Sequence, residues 1–180
     1  MKNERIAIFD MDGTLVDTDD ANTAAYRIAL NSVGIRNIAG IYGRMTANSI
    51  CSITNMALSA EIDEVVRLKV EAYCAQLWRT RLGPAAEAFR CVIIGRDMFD
   101  KVVLLTNSAE RRVIETLRHY GLVRCFDEIV CNGGKDNKYI NYFNMFDSDP
   151  AASVVWENEE GQINSAIAAG VKVENTRKVG

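Results

Sequence analysis

The chain has 180 residues, 48% of them hydrophobic, with 21 basic against 24 acidic side chains and a formal charge of -3. That length supports one substantial core, or a core carrying a smaller inserted unit, and the mild negative charge excludes general attraction to nucleic acid or an anionic membrane. No window approaches a membrane span and no secretory signal core follows the charged start, so a cytoplasmic protein acting on a small soluble substrate is expected, with no membrane or nucleic-acid partner. The first element is an apolar strand, Ile6-Ala7-Ile8-Phe9, that runs into Asp10-Met11-Asp12-Gly13-Thr14. Residues two apart on a strand share a face, so Asp10 and Asp12 project together where the strand ends, and Gly13 permits a tight turn. Two crowded carboxylates repel unless a cation lies between them, and Mg²⁺ accepts a sparse set of oxygen ligands completed by water.

From residue 17 the character changes. Helical periodicity predicts helices over 17–33, 46–58 and 60–81, with Asp17, Thr18 or Asp19 as the first cap and a turn-rich stretch between Gly34 and Gly43. Met56, Tyr73 and Trp78 in this stretch are read as ordinary packing residues. From Lys101 onward, strands and helices alternate: strand 102–106, helix 109–119 stopped by Gly121, strand 129–131, helix 138–146, strand 153–156, helix 163–169 and a last strand at 171–173. Nearly uniform apolar strands separated by helices imply a doubly wound, mostly parallel α/β sheet with its site at the carboxyl ends of the strands. The first strand belongs to that sheet. The domains expected are therefore residues 1–16 plus 84–180 as an α/β core, and residues 17–83 as an α-helical insertion.

The five cysteines, Cys51, Cys74, Cys91, Cys125 and Cys131, are odd in number and contain no Cys-x-x-Cys pair, so reduced and mostly buried thiols are expected rather than disulfides or a zinc site. The single His119 falls at the end of a predicted helix, where a cation suits the helix dipole, and is read as structural.

The run from Ile6 to Leu15 resembles the first signature of the haloacid dehalogenase-like hydrolases, an apolar strand followed by Asp-x-Asp-Gly-Thr, and three later segments match that family in order. Leu104-Leu105-Thr106-Asn107-Ser108 resembles its second motif, where a hydroxyl and backbone amides at a helix start hold phosphate; the same residues would serve equally as a helix cap. Its third motif is a lysine near the start of a later helix. Within Gly133-Gly134-Lys135-Asp136-Asn137-Lys138, Lys135 is favoured over Lys138 because it follows glycine. The fourth is Glu157-Asn158, at the family's distance before Gly170 in Ala168-Ala169-Gly170. Here the chain departs from the phosphoglucomutase-like branch, with Asn158 where that branch has a metal-binding aspartate, which weakens the hold on Mg²⁺.

The resemblance implies a Rossmann-like core with a helical cap and a Mg²⁺-dependent phosphatase of a small phosphorylated metabolite. It gives Asp10 as the nucleophile forming an aspartyl-phosphate and Asp12 as general acid and base, with Thr106 and Lys135 as the further catalytic residues. Asp10, Asp12, Glu157 and Asn158 would hold the metal. Thr106, Asn107, Lys138 and, from the insertion, Arg44 would contact substrate, with Asn48 as a further candidate. A phosphomutase of the same family and a catalytically impaired phosphate-binding protein are the rival readings. A dehalogenase is disfavoured, because it has no use for the second acid Asp12.

Overall fold

The computed structural model describes residues 4–36, 38–43, 45, 47–54, 60–134 and 137–180. The chain divides into two compact units, Met1–Asp17 with Leu82–Gly180, and Thr18–Arg81. It begins in the first with strand β1 (Ile6–Phe9) and leaves it through the two-residue strand β2 (Val16–Asp17).

The second unit is helical. Helix α1 is Asp19–Ser32, shorter at both ends than the sequence predicted, and Thr18 stands at its N-cap position with its hydroxyl accepting from Asn22 Nδ2 at 3.1 Å. Helices α2 (Ala47–Thr54) and α3 (Ala60–Cys74) follow. Tyr26, Ala29 and Leu30 of α1 pack with Ile41, Ile50, Ile62 and Val65 into one apolar cluster, while Ala21 and Ala25 meet Tyr73 in another. The single long helix expected over 60–81 ends early: Gln76 N–H bonds Tyr73 O, and the chain tightens into a short 3₁₀ turn at Leu77–Arg79. Trp78 is exposed there, stacked with the Arg79 guanidinium at 4.2 Å rather than packed in a core. Met56 lies outside the described residues.

On return, strand β3 (Arg81–Leu82) leads to helix α4 (Ala86–Ile94), strand β4 (Lys101–Thr106), helix α5 (Glu110–His119), strand β5 (Glu128–Cys131), helix α6 (Lys138–Phe146), strand β6 (Val154–Glu157), helix α7 (Glu160–Ala168) and strand β7 (Thr176–Lys178). Helix α4 carries no assignment in the sequence reading, although Pro84 ahead of it and Phe89 and Val92 on one face are its signals. The main sheet is parallel in the order β5-β4-β1-β6-β7. Alternation within β1 and β4 divides the core. Ala7, Phe9, Val102 and Leu104 face Phe89 of α4 and Val113 and Leu117 of α5, while Ile6, Ile8, Val103 and Leu105 face Tyr139, Tyr142 and Phe143 of α6 and Ala166 of α7. Helices on both faces make this the doubly wound α/β fold that the strand composition implies.

The predicted last strand is displaced. Val171 is a buried core plug, residues Val173–Asn175 form a 3₁₀ turn, and the strand is the polar Thr176–Lys178, which pairs only with β6. An edge strand needs no apolar pattern, which is why hydrophobicity misplaces it. All five cysteines are free, but four are half-buried and Cys91 is exposed, less buried than expected. His119 closes α5, exposed, with its ring edge-on to Tyr120. Among the described residues no helix is long and apolar enough to cross a membrane.

Candidate active site

The carboxyl ends of β1, β4 and β6 converge on a buried cluster of charge. The register pairs Phe9 with Leu104 on one side and Trp156 on the other, so the residues that follow them emerge together. Asp10 directly follows β1, is 3% exposed and donates its N–H to Trp156 O. Glu157 closes β6 beside it, 1% exposed.

Lys138 joins these two acids. Asn137 caps α6 by accepting from the Tyr139 and Ile140 N–H groups and anchors its own amide on Ser165 O, which makes Lys138 the first helical residue and turns it into the core. Its Nζ lies 2.7 Å from Asp10 Oδ1 and 2.9 Å from Glu157 Oε2. Of the two lysines weighed in the sequence, Lys138 occupies this place, and Lys135 lies outside the described residues. Lys138 reaches the cluster because the Asn137 cap sets it in the first helical turn. Tyr139 OH also donates to Glu157 Oε2, at 3.0 Å, and Glu157 Oε1 accepts from the N–H groups of Asn158 and Glu159. Burial alone would lower the Lys138 pKa, but the charges of Asp10 and Glu157 outweigh it and hold it above the ordinary lysine value. Burial raises the Glu157 carboxyl, the Asp10 charge adds to this, and Lys138 opposes it. Tyr139 is held well above the usual phenol range by burial and then by the charges of Glu157 and Asp10.

Asp12, fully buried, has partners that the sequence reading did not anticipate. Its Oδ1 pairs with Arg112 Nη2 and its Oδ2 accepts from Ser108 Oγ. Arg112 sits on α5 one residue before the buried Val113 and four before the buried Thr116, so helical spacing places it on the inward face. That spacing, not the basic pair Arg111-Arg112, was the signal available. Burial draws its guanidinium down to about 10 against the charge of Asp10, which leaves it a cation at neutral pH.

Thr106 ends β4 almost fully buried, and its Oγ1 accepts from the Ser108 N–H. Asn107 Oδ1 accepts from Asn132 Nδ2, whose Oδ1 in turn accepts from Asn141 Nδ2, so the Asn107 amide is engaged in a side-chain relay. Asn158 lies beside the Gly13 turn, its Oδ1 accepting from Thr14 Oγ1 at 3.2 Å. Asp10, Glu157 and Lys138 are thus in direct contact, Asp12 is held by Ser108 and Arg112, and Asn158 meets Thr14. Arg44 and the side chain of Asn48 lie outside the described residues.

A divalent cation has a restricted set of donors here. Among the described residues, no three His, Cys, Asp or Glu side chains form a ready metal cage. Of the four residues expected to hold the metal, Glu157 has both oxygens engaged by Lys138, Tyr139 and backbone amides, and the Asp12 carboxylate is engaged by Arg112 and Ser108. Asp10 Oδ2, however, is buried without a hydrogen-bond partner, an orphaned acceptor of the kind a cation satisfies. Asn158, beside the Gly13 turn, is neutral, so the residues present offer a divalent ion few charged donors and fit one that keeps most of its water.

Residues 7–175 match the family model described as haloacid dehalogenase-like hydrolase. A phosphorylated carbohydrates phosphatase of Thermotoga maritima is 27% identical over 179 residues, covering 92% of this chain and 81% of that protein. Among solved structures, CbbY of Rhodobacter sphaeroides in complex with phosphate superposes with a TM-score of 0.75 at 18% identity, over 94% of this chain and 84% of its own. A candidate beta-phosphoglucomutase of Thermotoga maritima gives a TM-score of 0.64 at 24% identity, over 97% of this chain and 84% of its own. These structural likenesses carry the fold.

Proposed function

Because the chain belongs to the haloacid dehalogenase-like hydrolase family, we propose that it is a Mg²⁺-dependent phosphatase of a small phosphorylated metabolite, acting through an aspartyl-phosphate. The observation that carries this is the buried Lys138 bridge between Asp10 Oδ1 and Glu157 Oε2, which leaves Asp10 Oδ2 without a partner. A carboxylate fixed by one oxygen on a lysine presents the other as a nucleophile. Asp10 Oδ2 attacks phosphorus, the bond to the leaving alcohol oxygen breaks, and Asp12, which enters this step protonated and so released from its ion pair with Arg112, gives that oxygen its proton. Asp12 then takes a proton from the water that hydrolyses the aspartyl-phosphate. Lys138 and Thr106 face the charge that develops on the phosphoryl oxygens, the main demand of this reaction.

The Asp12 segment and Asn158 are the residues that would hold Mg²⁺ together with the Asp10 oxygen not used for attack, and Glu157 positions them through Lys138 and the Asn158 N–H. Bound there, the ion supplies positive charge to the transferring group. The helical unit Thr18–Arg81 is read as the cap that excludes water and, through Arg44, contacts the organic part of the substrate. The similarity to a phosphorylated carbohydrates phosphatase supports a sugar phosphate as substrate class.

The test is release of inorganic phosphate from a panel of sugar phosphates, with Mg²⁺ and with chelator, for the wild type and Asp10→Asn. Turnover that needs Mg²⁺ and Asp10 is the expected result, and equal turnover in chelator or in Asp10→Asn rejects the mechanism. Isomerisation of a hexose phosphate without phosphate release would identify a mutase instead. A second reading, phosphate binding with little turnover, is favoured by the neutral Asn158 and the engaged Asp12 carboxylate.

A further inference from the structure

We propose that Arg112 is a cation built into this pocket, which lets the protein bind a phosphate anion in the absence of a divalent ion. The inference rests on reading the Asp10 pocket as the phosphate site. Arg112 is 5% exposed and pairs directly with Asp12, which is fully buried. A guanidinium does not lose its charge under any ordinary condition, so burying one demands carboxylates around it, and once buried it contributes a fixed positive charge to every group nearby. Water does not screen that charge as it would at the surface, so its reach does not depend on contact.

The formal charges decide what this does. With Asp12 ionised, as it is in its pair with Arg112 before the acid step, Asp10, Asp12 and Glu157 are three buried carboxylates, and Lys138 and Arg112 are two buried cations, which leaves one negative charge. An otherwise identical pocket with aspartate at 158 and no arginine would hold four carboxylates against one lysine, and a bound divalent ion would bring it to that same single negative charge. Asn158 and Arg112 therefore shift the pocket in one direction, by a unit each, and together they equal the charge of the ion. An arriving phosphate meets, without metal, the field that such a pocket presents only when loaded.

Two consequences follow from the same charge. Phosphate binding separates from turnover, because Arg112 is held at Asp12 and does not replace an ion at the transferring phosphoryl group. The divalent ion itself binds against Arg112 repulsion, so removing the arginine tightens it.

The experiment titrates inorganic phosphate calorimetrically into the wild type in chelator and again in Mg²⁺. Mn²⁺ is titrated separately by electron paramagnetic resonance. The wild type is expected to bind phosphate in chelator with an affinity within about threefold of that in Mg²⁺, a difference under about 1 kcal/mol. Arg112→Met is expected to lose about tenfold or more in chelator, to recover in Mg²⁺, and to bind Mn²⁺ more tightly, while Arg112→Lys keeps chelator binding. Arg112→Gln, which keeps a hydrogen-bonding group at Asp12 without the positive charge, reads the same quantities if Arg112→Met does not fold. Wild-type binding that appears only with Mg²⁺ overturns this inference and leaves the phosphatase reading standing, whereas binding in neither condition removes both.

Discussion

Lys138 Nζ lies 2.7 Å from Asp10 Oδ1, and both side chains are almost wholly removed from water. The pair is held by parts far apart in sequence: β1 delivers the acid, and the Asn137 cap of α6 delivers the base. Replacing Lys138 with Met leaves Asp10 and Glu157 as adjacent buried carboxylates with no cation between them. Loss of one partner from a buried pair destabilises by about 3–5 kcal/mol, and if Lys138 serves the proposed phosphoryl transfer, its loss lowers turnover by about 10²–10³. Urea unfolding and phosphate release measure the two effects. A variant as stable and as active as the wild type would remove Lys138 from the site.

The same pair sets an alkaline limit on stability. The folded Lys138 pKa is raised above 10.5, so its contribution is fully present below the unfolded value and disappears as pH rises through the folded one. Tyr139 and Tyr142 are raised in the same way, burial being the first cause in each, and add to the decline. Thermal melts across about pH 9–12 are expected to show the wild type falling and Lys138→Met falling less, with the tyrosine part left and partly offset by Arg112, whose folded value of about 10 adds stability as pH rises through it. Identical slopes would mean that the Lys138 ion pairs contribute nothing.

What was legible in the sequence tracks how local its cause is. β1 and the Asp10-Met11-Asp12-Gly13 turn are fixed by an apolar run and a glycine, and the parallel sheet with helices on both faces follows from uniformly apolar strands. Strand β7 was misplaced because an edge strand of Thr176, Arg177 and Lys178 has no hydrophobic signature, while the apolar Val171 nearby packs into the core without pairing. At the site, Asp10 and Glu157 come from strand ends and could be placed by motif. Arg112 could not, because its burial depends on which helix face meets β1, a tertiary fact that Val113 and Thr116 only hint at. The inward place of Lys138 depends on Asn137 accepting from two helical N–H groups, a contact that a glycine-based reading of the same loop does not specify.

Asn158→Asp restores a carboxylate beside the Gly13 turn. Divalent-ion affinity follows the charge count of the ligands, so Mn²⁺ is expected to bind about tenfold tighter or better, and Mg²⁺-dependent phosphate release is expected to rise with it. Electron paramagnetic resonance of Mn²⁺ reads the first directly. Unchanged affinity would show that Asn158 stands outside the ion's reach.

Asn137 tests whether helix capping positions Lys138 for the proposed chemistry. Removing the side chain in Asn137→Ala loses the bonds to Tyr139 N and Ile140 N and the tie to Ser165 O, a destabilisation of about 1 kcal/mol. Because Lys138 is the next residue, fraying of this turn also moves Nζ, and turnover is expected to fall by more than the stability loss alone explains. Asn137→Asp keeps the cap acceptor and is expected to retain most of both. Equal turnover in the Ala and Asp variants, with only stability differing, would separate the cap from the chemistry.

Gly13 brings the turn and the departure at 158 together. Its φ of +74° lies in the left-handed region, and a Cβ there would run into the Asn158 amide. An ordinary residue in that conformation loses about 1–2 kcal/mol, and the collision pushes either Asn158 or the Asp10–Asp12 turn out of place. Gly13→Ala is therefore expected to be less stable by about 2 kcal/mol or more and nearly inactive. Pairing it with Asn158→Ala removes the collision but keeps the strained φ, so the double variant is expected to regain part of the stability. Full recovery would mean that the turn tolerates the left-handed backbone without glycine, and no recovery would place the whole penalty in φ; denaturant midpoints of the three proteins distinguish these outcomes.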